Sequence, residues 1–122
     1  MRRPLGSLES AVMEFLWHEP KARSIRDVVD GLSDRKHAYT TIATVLENLR
    51  RKQWVRRELV GRIWFYEPEI SASENAAMLM TDAFSTSDSP RATLLKFVDE
   101  IGEHEAQLLR ELLAGPAAEK ET

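Results

Sequence analysis

Hydrophobic residues in the first fifty positions recur at the spacing of amphipathic helices, each with one buried face. Ser7 is suited to cap the first helix, which Glu19-Pro20 would end. Ser24 and Asp27 form a capping box that opens the second helix. The pattern therefore predicts three short helices joined by tight connections. Their predicted buried residues are Leu8, Ala11, Val12, Phe15 and Leu16, then Ile25, Val28, Val29 and Leu32, then Ile42, Val45, Leu46 and Leu49.

The pattern then changes to runs that suit β-strands. WVRREL at residues 54–59 alternates loosely, and the run at residues 63–67 is rich in aromatic residues and isoleucine. Val60-Gly61 supplies a turn signal between the two runs, and Pro68 would stop the second. The two runs are therefore predicted to form a β-hairpin. Three helices followed by a hairpin is the order of elements in a winged helix-turn-helix domain.

The remainder of the chain returns to helical periodicity. Ser71 and Glu74 form a second capping box, which opens a helix through about Phe84. The polar segment STSDSP interrupts the helical pattern, and Ser89 followed by Pro90 predicts the start of a fifth helix. A sixth helix rich in leucine follows.

These elements predict a mainly α protein with a small β-hairpin. We expect a winged helix-turn-helix domain at residues 1–69, a C-terminal helical dimerisation region at 70–115 and a disordered polar tail at 116–122. The charge supports a division of tasks, because residues 1–68 hold 13 Lys and Arg against 9 Asp and Glu, whereas residues 69–122 hold 4 against 11. Chance clustering of charges on solvated faces is the alternative.

The composition excludes several kinds of chemistry. There are no cysteines, so disulfides, thiolate metal sites and thiol nucleophiles are excluded. The only hint of a metal site is His104 between Glu103 and Glu105, and a solvent-facing histidine is the simpler interpretation. No nucleophile motif or phosphate-binding glycine loop occurs. We therefore expect no enzymatic activity, no metal site and no cofactor.

The chain also lacks sequence signals for a membrane or for secretion. No apolar run approaches the ~20 residues that a membrane span needs. The N-terminal sequence MRRPLGSLES has no apolar stretch of the kind found in secretory signals. We therefore expect a cytoplasmic protein with no direct membrane insertion.

The third predicted helix has a polar face that suits DNA reading. At about 100° per residue, Thr40, Ala43 and Thr44 lie opposite the apolar side, and Thr41 and Asn48 lie toward one flank. Small side chains permit close approach to the major groove, where hydroxyls meet base edges and methyl groups meet thymine. These five residues are predicted to face the bases. The alternative for the threonines is helix capping, for example by Thr44 with the glutamate three positions on.

A basic run follows this helix. RRKQWVRRELVGR contains a single acid, Glu58, among its cations. In a winged helix this run spans the helix exit, the first strand and the wing tip, which all lie along the duplex backbone. Cations there neutralise phosphates and release counterions, although a solvated charge run is the alternative. The residues predicted to contact phosphates or the adjacent minor groove are Arg50, Arg51, Lys52, Arg57 and Arg62.

The acidic C-terminal half carries more apolar surface than two short helices can hide between themselves. Helices that follow a complete DNA-binding unit favour packing against a second chain, and a symmetric dimer would bind two half-sites. Packing within the chain is the alternative. The predicted dimer interface comprises Leu94, Leu95, Phe97, Val98, Ile101, Leu108, Leu109 and Leu112.

Three segments, LGSLESAVMEFLW, AYTTIATVLENLRRKQWV and RIWFYEP, occur in a distinctive order and spacing between Leu5 and Pro68, within a wider resemblance that extends to about Leu113. Together they resemble the penicillinase-repressor family, which includes the β-lactamase and methicillin-resistance repressors. The resemblance implies a winged-helix repressor that dimerises through its C-terminal helices and binds a palindromic operator, often with TACA/TGTA half-sites. It also implies that Thr41 and Thr44 contact DNA.

Two positions depart from the family's pattern. Many members have a basic residue at the position of Asn48 and a glycine at the position of Gln53. Asn48 can itself pair with adenine, which leaves the operator preference open. The family also includes copper-responsive repressors, but this chain does not fit that branch, because its cysteine-rich metal-sensing tail has no counterpart here.

The resemblance also implies a release mechanism. In β-lactam-responsive members, a membrane sensor-protease triggers cleavage in the C-terminal helical region, and the loss of dimerisation releases DNA. The matching stretch here is residues 94–98, with Lys96-Phe97 as the candidate bond. Lys96 replaces the asparagine of a well-studied branch, and a place for Phe97 in the dimer core is the alternative.

The favoured interpretation is a sequence-specific transcriptional repressor that acts as a homodimer on a palindromic operator in double-stranded DNA, with proteolysis as the implied route of release. Two other hypotheses stay open. One is a winged-helix protein-interaction module without DNA binding, and the other is a small-molecule-sensing regulator with a ligand pocket between the two halves. The salt dependence of DNA binding tests the first, and a ligand-dependent melting temperature tests the second.

Overall fold

The computed structural model of the chain describes residues 4–19, 21–32 and 37–115. Within these ranges the chain forms six helices and three short strands, so the predicted fold class is confirmed. The predicted tail at residues 116–122 lies outside the described residues, as does Pro20, which was expected to help end the first helix. In chain order the elements are α1 (Ser7–His18), β1 (Arg23–Ser24), α2 (Ile25–Gly31), α3 (Tyr39–Arg51), β2 (Val55–Val60), β3 (Ile63–Pro68), α4 (Ala72–Ser85), α5 (Pro90–Glu100) and α6 (Glu103–Leu113).

Side chains cap three helices as the sequence predicts. Ser24 Oγ accepts a hydrogen bond from the Asp27 N–H at 3.1 Å, and the Asp27 carboxylate accepts one from the Ser24 N–H at 3.0 Å. This capping box opens α2. Ser71 and Glu74 form the same pair of bonds at the start of α4. The predicted Ser89 cap of α5 is also present.

The start of α1 differs from the prediction. Gly6, not Ser7, is the N-cap residue, because Ser7 is already the first helical residue of α1. The Glu9 carboxylate accepts a hydrogen bond from the Gly6 N–H at 2.9 Å. Glu9 therefore satisfies one of the amides that a helix start leaves unpaired.

The strands form an antiparallel sheet in the order β1-β3-β2. β2 and β3 are the predicted hairpin, in which Val60 lies opposite Ile63 and the turn falls at Gly61-Arg62. Gly61 has a φ of +65°, a left-handed conformation that glycine adopts without steric cost. The first strand of the hairpin lies one residue later than predicted. The sequence does not predict β1, because two residues are too few to show an alternating pattern.

The core lies between the first three helices and the sheet. All four residues predicted to be buried on the third helix are buried. In α1 the buried side differs from the predicted one, because Met13 is buried, Ala11 is exposed, and Leu8 and Phe15 are only partly buried. In α2 only Val28 is fully buried. Among the residues that the structure describes, the buried hydrophobic ones are Val12, Met13, Leu16, Val28, Ile42, Val45, Leu46, Leu49, Trp54, Val55, Tyr66 and Ile70.

The structure divides into two compact units between Ala77 and Met78. Every buried core residue in the described ranges belongs to the first unit, and α4, α5 and α6 contain no fully buried residue. None of the helices in the described ranges combines the length and the apolarity that a bilayer crossing requires. The predicted boundary after residue 69, with DNA binding before it and dimerisation after it, stays a prediction.

Candidate nucleic-acid interface

The exposed side of α3 carries the residues predicted to face DNA bases. Thr40, Thr41, Thr44 and Asn48 are exposed, and Ala43 is half-buried. The opposite side of the helix packs into the core. The amphipathic sequence of α3 thus leaves a short, polar surface open to a partner, and we refer to these five residues as the reading face.

None of the three threonines caps α3, so the capping alternative is wrong. The N-cap residue is Ala38, which makes no side-chain cap bond. Thr44 Oγ1 instead donates a hydrogen bond to the carbonyl oxygen of Thr40 at 3.0 Å, one turn earlier in the helix. This bond satisfies the hydroxyl of a β-branched residue in the middle of a helix.

The chain leaves α3 through a tight turn that leads directly into β2. The Trp54 N–H donates to the Leu49 carbonyl at 2.9 Å, and the Gln53 N–H donates to the Arg50 carbonyl at 3.0 Å. These two bonds form a Schellman motif. Gln53 has a φ of +68° and is the one non-glycine residue with a positive φ in the described part of the chain. Glycine adopts this conformation without the steric cost that a side chain carries.

Three arginines surround the carboxylate of Glu47 at the C-terminal end of α3. Arg50 contacts both oxygens, with Nη2 2.6 Å from Oε1 and Nε 3.0 Å from Oε2. Arg51 Nε lies 3.4 Å from Oε1, and Arg57 Nη1 lies 3.6 Å from Oε2. The hydrogen bond from Arg50 lowers the pKa of Glu47 against the opposing effect of partial burial, and the three positive charges lower it further. We call these four residues the Glu47 cluster.

Arg57 also connects the Glu47 cluster to the second strand of the wing. Its guanidinium carbon lies 4.0 Å from the centre of the Trp64 ring, and its side chain is 27% exposed. A cation over an aromatic face at such a partly exposed site contributes about 0.5–1 kcal/mol. The position of Arg57 is therefore set by a carboxylate on α3 and a ring on β3.

The other residues predicted to contact phosphates differ in the solvent exposure of their side chains. The Arg51 side chain is 73% exposed, despite its contact with Glu47. Arg62 is exposed in the hairpin turn and forms no ion pair with the residues that the structure describes. Lys52 Nζ, in contrast, lies 2.7 Å from Glu9 Oε1, and its side chain is only 24% exposed. The structure thus leaves Arg51 and Arg62 most open to a partner and ties Lys52 to α1.

One further cation near the reading face is missed by the sequence analysis. Arg26, an exposed residue of α2, lies with its guanidinium carbon 5.2 Å from the centre of the Tyr39 ring at the start of α3. In helix-turn-helix proteins the helix before the reading helix crosses the DNA backbone. Because Arg26 is a cation on that helix, its position in the sequence could have identified it as a candidate contact.

The strand ends beside the hairpin turn carry exposed apolar residues that were not predicted to contact DNA. Leu59 pairs with Trp64, Val60 pairs with Ile63, and all four side chains are exposed around Arg62. The β-branched and aromatic residues that indicate strands stay exposed here, because the hairpin extends beyond the core. The wing therefore presents apolar side chains together with a cation.

Comparison with known proteins identifies the family. The model of the penicillinase repressor matches residues 5–115 of the chain. The chain belongs to the penicillinase-repressor family. The transcriptional regulator BlaI of Mycobacterium tuberculosis, in strains CDC 1551 and H37Rv, is 40% identical over 114 residues, which are 90% of this chain and 83% of the relative. The resemblance is thereby confirmed, and membership of a family of regulators confirms that the chain is not an enzyme.

Two solved structures share the fold of this family member. The solution structure of Bacillus licheniformis BlaI, in its monomeric form in complex with the blaP half-operator, matches 61% of this chain and 90% of its own, with a TM-score of 0.50 and 25% identity. The crystal structure of a S. aureus MepR–DNA complex matches 80% of this chain and 82% of its own, with a TM-score of 0.50 and 16% identity. The second likeness concerns the fold alone.

The predicted dimer residues of this family member lie along α5, directly after it and along α6. Six of the eight are exposed, and Ile101 and Leu109 are half-buried. The candidate cleavage bond between Lys96 and Phe97 lies inside α5, and both side chains are exposed. An open apolar hollow of about 430 Å³ occurs in the same unit and includes Phe97 and Leu94. Across residues 4–19, 21–32 and 37–115, no three His, Asp or Glu side chains converge in a way that could hold a metal ion.

Proposed function

We propose that this family member represses transcription as a homodimer that binds a palindromic operator in double-stranded DNA. The observation that carries the proposal is the reading face, exposed on α3 beside the arginines of the Glu47 cluster. Major-groove reading requires this combination of small polar side chains and neighbouring cations. The Bacillus licheniformis relative bound to a half-operator supports the same use of the fold here. A repressor acts where the DNA is, which implies a cytoplasmic location.

The residues of the proposed interface divide by role. The reading face enters the major groove, where its hydroxyls, its methyl groups and the Asn48 amide meet base edges. Arg51 and Arg62, the most exposed of the predicted cations, contact phosphates directly. Arg50 and Arg57, both held by Glu47, also contact phosphates. Lys52 is ion-paired with Glu9 and contributes chiefly through the positive potential that attracts the duplex.

Dimerisation follows from the second unit. Its helices contain no fully buried residue and leave most of the predicted interface exposed in the single chain. So many exposed large apolar side chains on two consecutive helices favour a protein–protein interface. In a symmetric dimer two reading faces would meet half-sites about one helical turn, 10–10.5 base pairs, apart.

Proteolytic release is part of the proposal. Cleavage between Lys96 and Phe97 would divide the predicted interface into two pieces and weaken the dimer. The bond lies inside a helix, so α5 must open locally before a protease can bind the chain in extended form. Because α5 contains no fully buried residue, local opening of the free chain costs less free energy than opening a core helix. The family resemblance suggests a membrane sensor-protease pathway as the trigger.

Selection of tight-binding duplexes from a random DNA library, followed by sequencing of the recovered pool, tests the proposed function. We expect an enriched palindrome whose half-sites lie about one helical turn apart. The affinity for that duplex should fall steeply with salt, because each phosphate contact releases counterions. An unenriched pool together with a flat salt response would indicate a protein-interaction module instead.

A further inference from the structure

Glu47 is the only acidic residue of α3, and its side chain is 28% exposed beside the reading face. A carboxylate on the surface that we propose to meet DNA is repelled by phosphates. A glutamate with no other role would therefore only weaken binding. Its contacts within the chain decide what role it has.

Direct base contact is one such role, because a glutamate on a reading helix can accept a hydrogen bond from the amino group of cytosine. In Glu47, however, both carboxylate oxygens already face arginines. Oε1 faces Arg50 and Arg51, and Oε2 faces Arg50 and Arg57. The geometry favours the arginines over a base as the partners of Glu47.

The contacts of Glu47 join the reading helix to the wing. Arg50 belongs to α3, whereas Arg57 belongs to β2 and lies over the Trp64 ring of β3. A continuous series of contacts thus runs from the carboxylate on α3 to both strands of the hairpin. Because Arg57 lies between a carboxylate and a ring, its distance from the reading face has little freedom to vary.

We propose that Glu47 is a positioning residue that determines DNA specificity by holding Arg50 and Arg57 at defined places relative to the reading face. The inference rests on the proposed function. Arginines held in this way meet phosphates best when the reading face is aligned with its own bases. On any other sequence the arginines lose that alignment, and the negative charge of Glu47 reduces the electrostatic attraction that drives non-specific binding.

The matched pair of variants for this proposal is Glu47→Gln and Glu58→Gln. Each removes one negative charge from the same basic segment. Glu58 is exposed on β2, on the face of the hairpin opposite to Arg57, and forms no ion pair with the residues that the structure describes. Affinities of both variants and the wild type are measured by fluorescence anisotropy on the selected duplex and on a scrambled duplex, at a series of salt concentrations.

We expect Glu47→Gln to raise the affinity for scrambled DNA by about tenfold and to steepen the log-log salt slope by about 1 per protomer, because released arginines gain phosphate contacts. The affinity for the selected duplex should rise less or fall, so that the ratio of the two affinities decreases about tenfold. Glu58→Gln should raise both affinities by a similar, smaller factor and preserve the ratio. If Glu47→Gln behaves like Glu58→Gln, the proposal is overturned.

Glu47→Asp separates position from charge and keeps the test decisive if Glu47→Gln folds poorly. It retains the negative charge, but its shorter side chain cannot contact Arg50 and Arg57 together. We expect a reduced affinity ratio, and a wild-type ratio would overturn the positioning role. A wild-type protein that shows no preference between the two duplexes would contradict the proposed function itself, before any variant is compared.

Discussion

Gly31, the last residue of α2, packs so closely against Phe15 of α1 that a Cβ on Gly31 would lie 2.1 Å from the Phe15 Cε1 atom. The same ring lies under the guanidinium carbon of Arg23, 5.0 Å from the ring centre. The ring therefore has close neighbours on both α2 and β1. An added methyl group at Gly31 would have to displace it.

We expect Gly31→Ala to lower the free energy of unfolding by about 1–3 kcal/mol, the usual cost of overpacking. In an unobstructed helix the same change stabilises by about 0.5–1 kcal/mol, so the clash reverses the sign. Urea unfolding followed by circular dichroism measures the difference. In a Phe15→Leu background the loss should be smaller, and an equal loss in both backgrounds would show that the ring is not the cause.

The left-handed conformation of Gln53 predicts that glycine stabilises the exit from α3. Gln53→Ala is the matched control, because it removes the side chain beyond Cβ but keeps the steric conflict at positive φ. We expect Gln53→Gly to have a free energy of unfolding about 1 kcal/mol higher than Gln53→Ala. Chemical denaturation of the two variants gives the comparison. Equal stabilities would mean that the turn carries no strain.

The ion pair between Glu9 and Lys52 predicts a pH dependence of stability. Burial opposes the charge of Glu9, but the Gly6 N–H and Lys52 outweigh that effect and lower the pKa of Glu9 below its ordinary value of 4.5. A lowered pKa in the folded state stabilises the protein above about pH 4.5, and this stabilisation is lost as the pH falls through the folded pKa.

We therefore expect Glu9→Gln to lower the free energy of unfolding at neutral pH by about 1.5–3 kcal/mol, the range for hydrogen bonds to charged groups. The difference from the wild type should shrink as the pH falls below 4.5. Urea titrations across this range measure it, and Glu14→Gln, at an exposed position of the same helix, is the control. A difference that stays constant with pH would exclude the carboxylate charge as its origin.

Thr44 tests the reading face. Its side chain is exposed, and its hydroxyl bonds only within the helix, so Thr44→Ala should leave the fold intact. We expect the variant to bind the selected duplex more weakly by about 1–3 kcal/mol while its affinity for scrambled DNA stays nearly unchanged. Thr81→Ala, at an exposed position of α4, should change neither affinity. Equal losses of affinity on both duplexes would show that Thr44 does not belong to the reading face.

Leu95 tests the proposed dimer. Its side chain is 62% exposed in the single chain, so Leu95→Asp should not disturb the core of the first unit. A charge at the centre of an apolar interface should weaken the dimer at least tenfold, as analytical ultracentrifugation would measure. Glu100→Gln, at an exposed position of the same helix, should leave the dissociation constant of the dimer unaltered. A Leu95→Asp protein that sediments like the wild type would exclude α5 from the interface.

Local chemistry accounts for much of what the sequence predicts correctly. A capping box depends on residues three positions apart, so it can be recognised without a tertiary structure. The two here are formed by Ser24 with Asp27 and by Ser71 with Glu74. The buried side of α3 is also predictable from local sequence, because its hydrophobic residues recur at helical spacing. At the start of α1, two adjacent residues compete for the cap, and the sequence alone does not decide between them.

Tertiary contacts account for the features that the sequence analysis missed. β1 exists only because it pairs with β3, which lies far along the chain. Met13 replaces Ala11 in the core because the orientation of α1 depends on what it packs against. The approach of Arg57 to Glu47 requires the hairpin to return beside α3. Spacing along the chain therefore identified the arginines around Glu47 but not the ion pairs that they form with it.

The helices α5 and α6 bury no residue fully within one chain. Under the proposed dimer, the second unit gains stability by mass action, and its melting temperature rises with protein concentration. Where monomers predominate, halving the amount of protein lowers the dimer concentration about fourfold. Gene dosage and dilution by cell growth would thereby regulate transcription independently of any inducer.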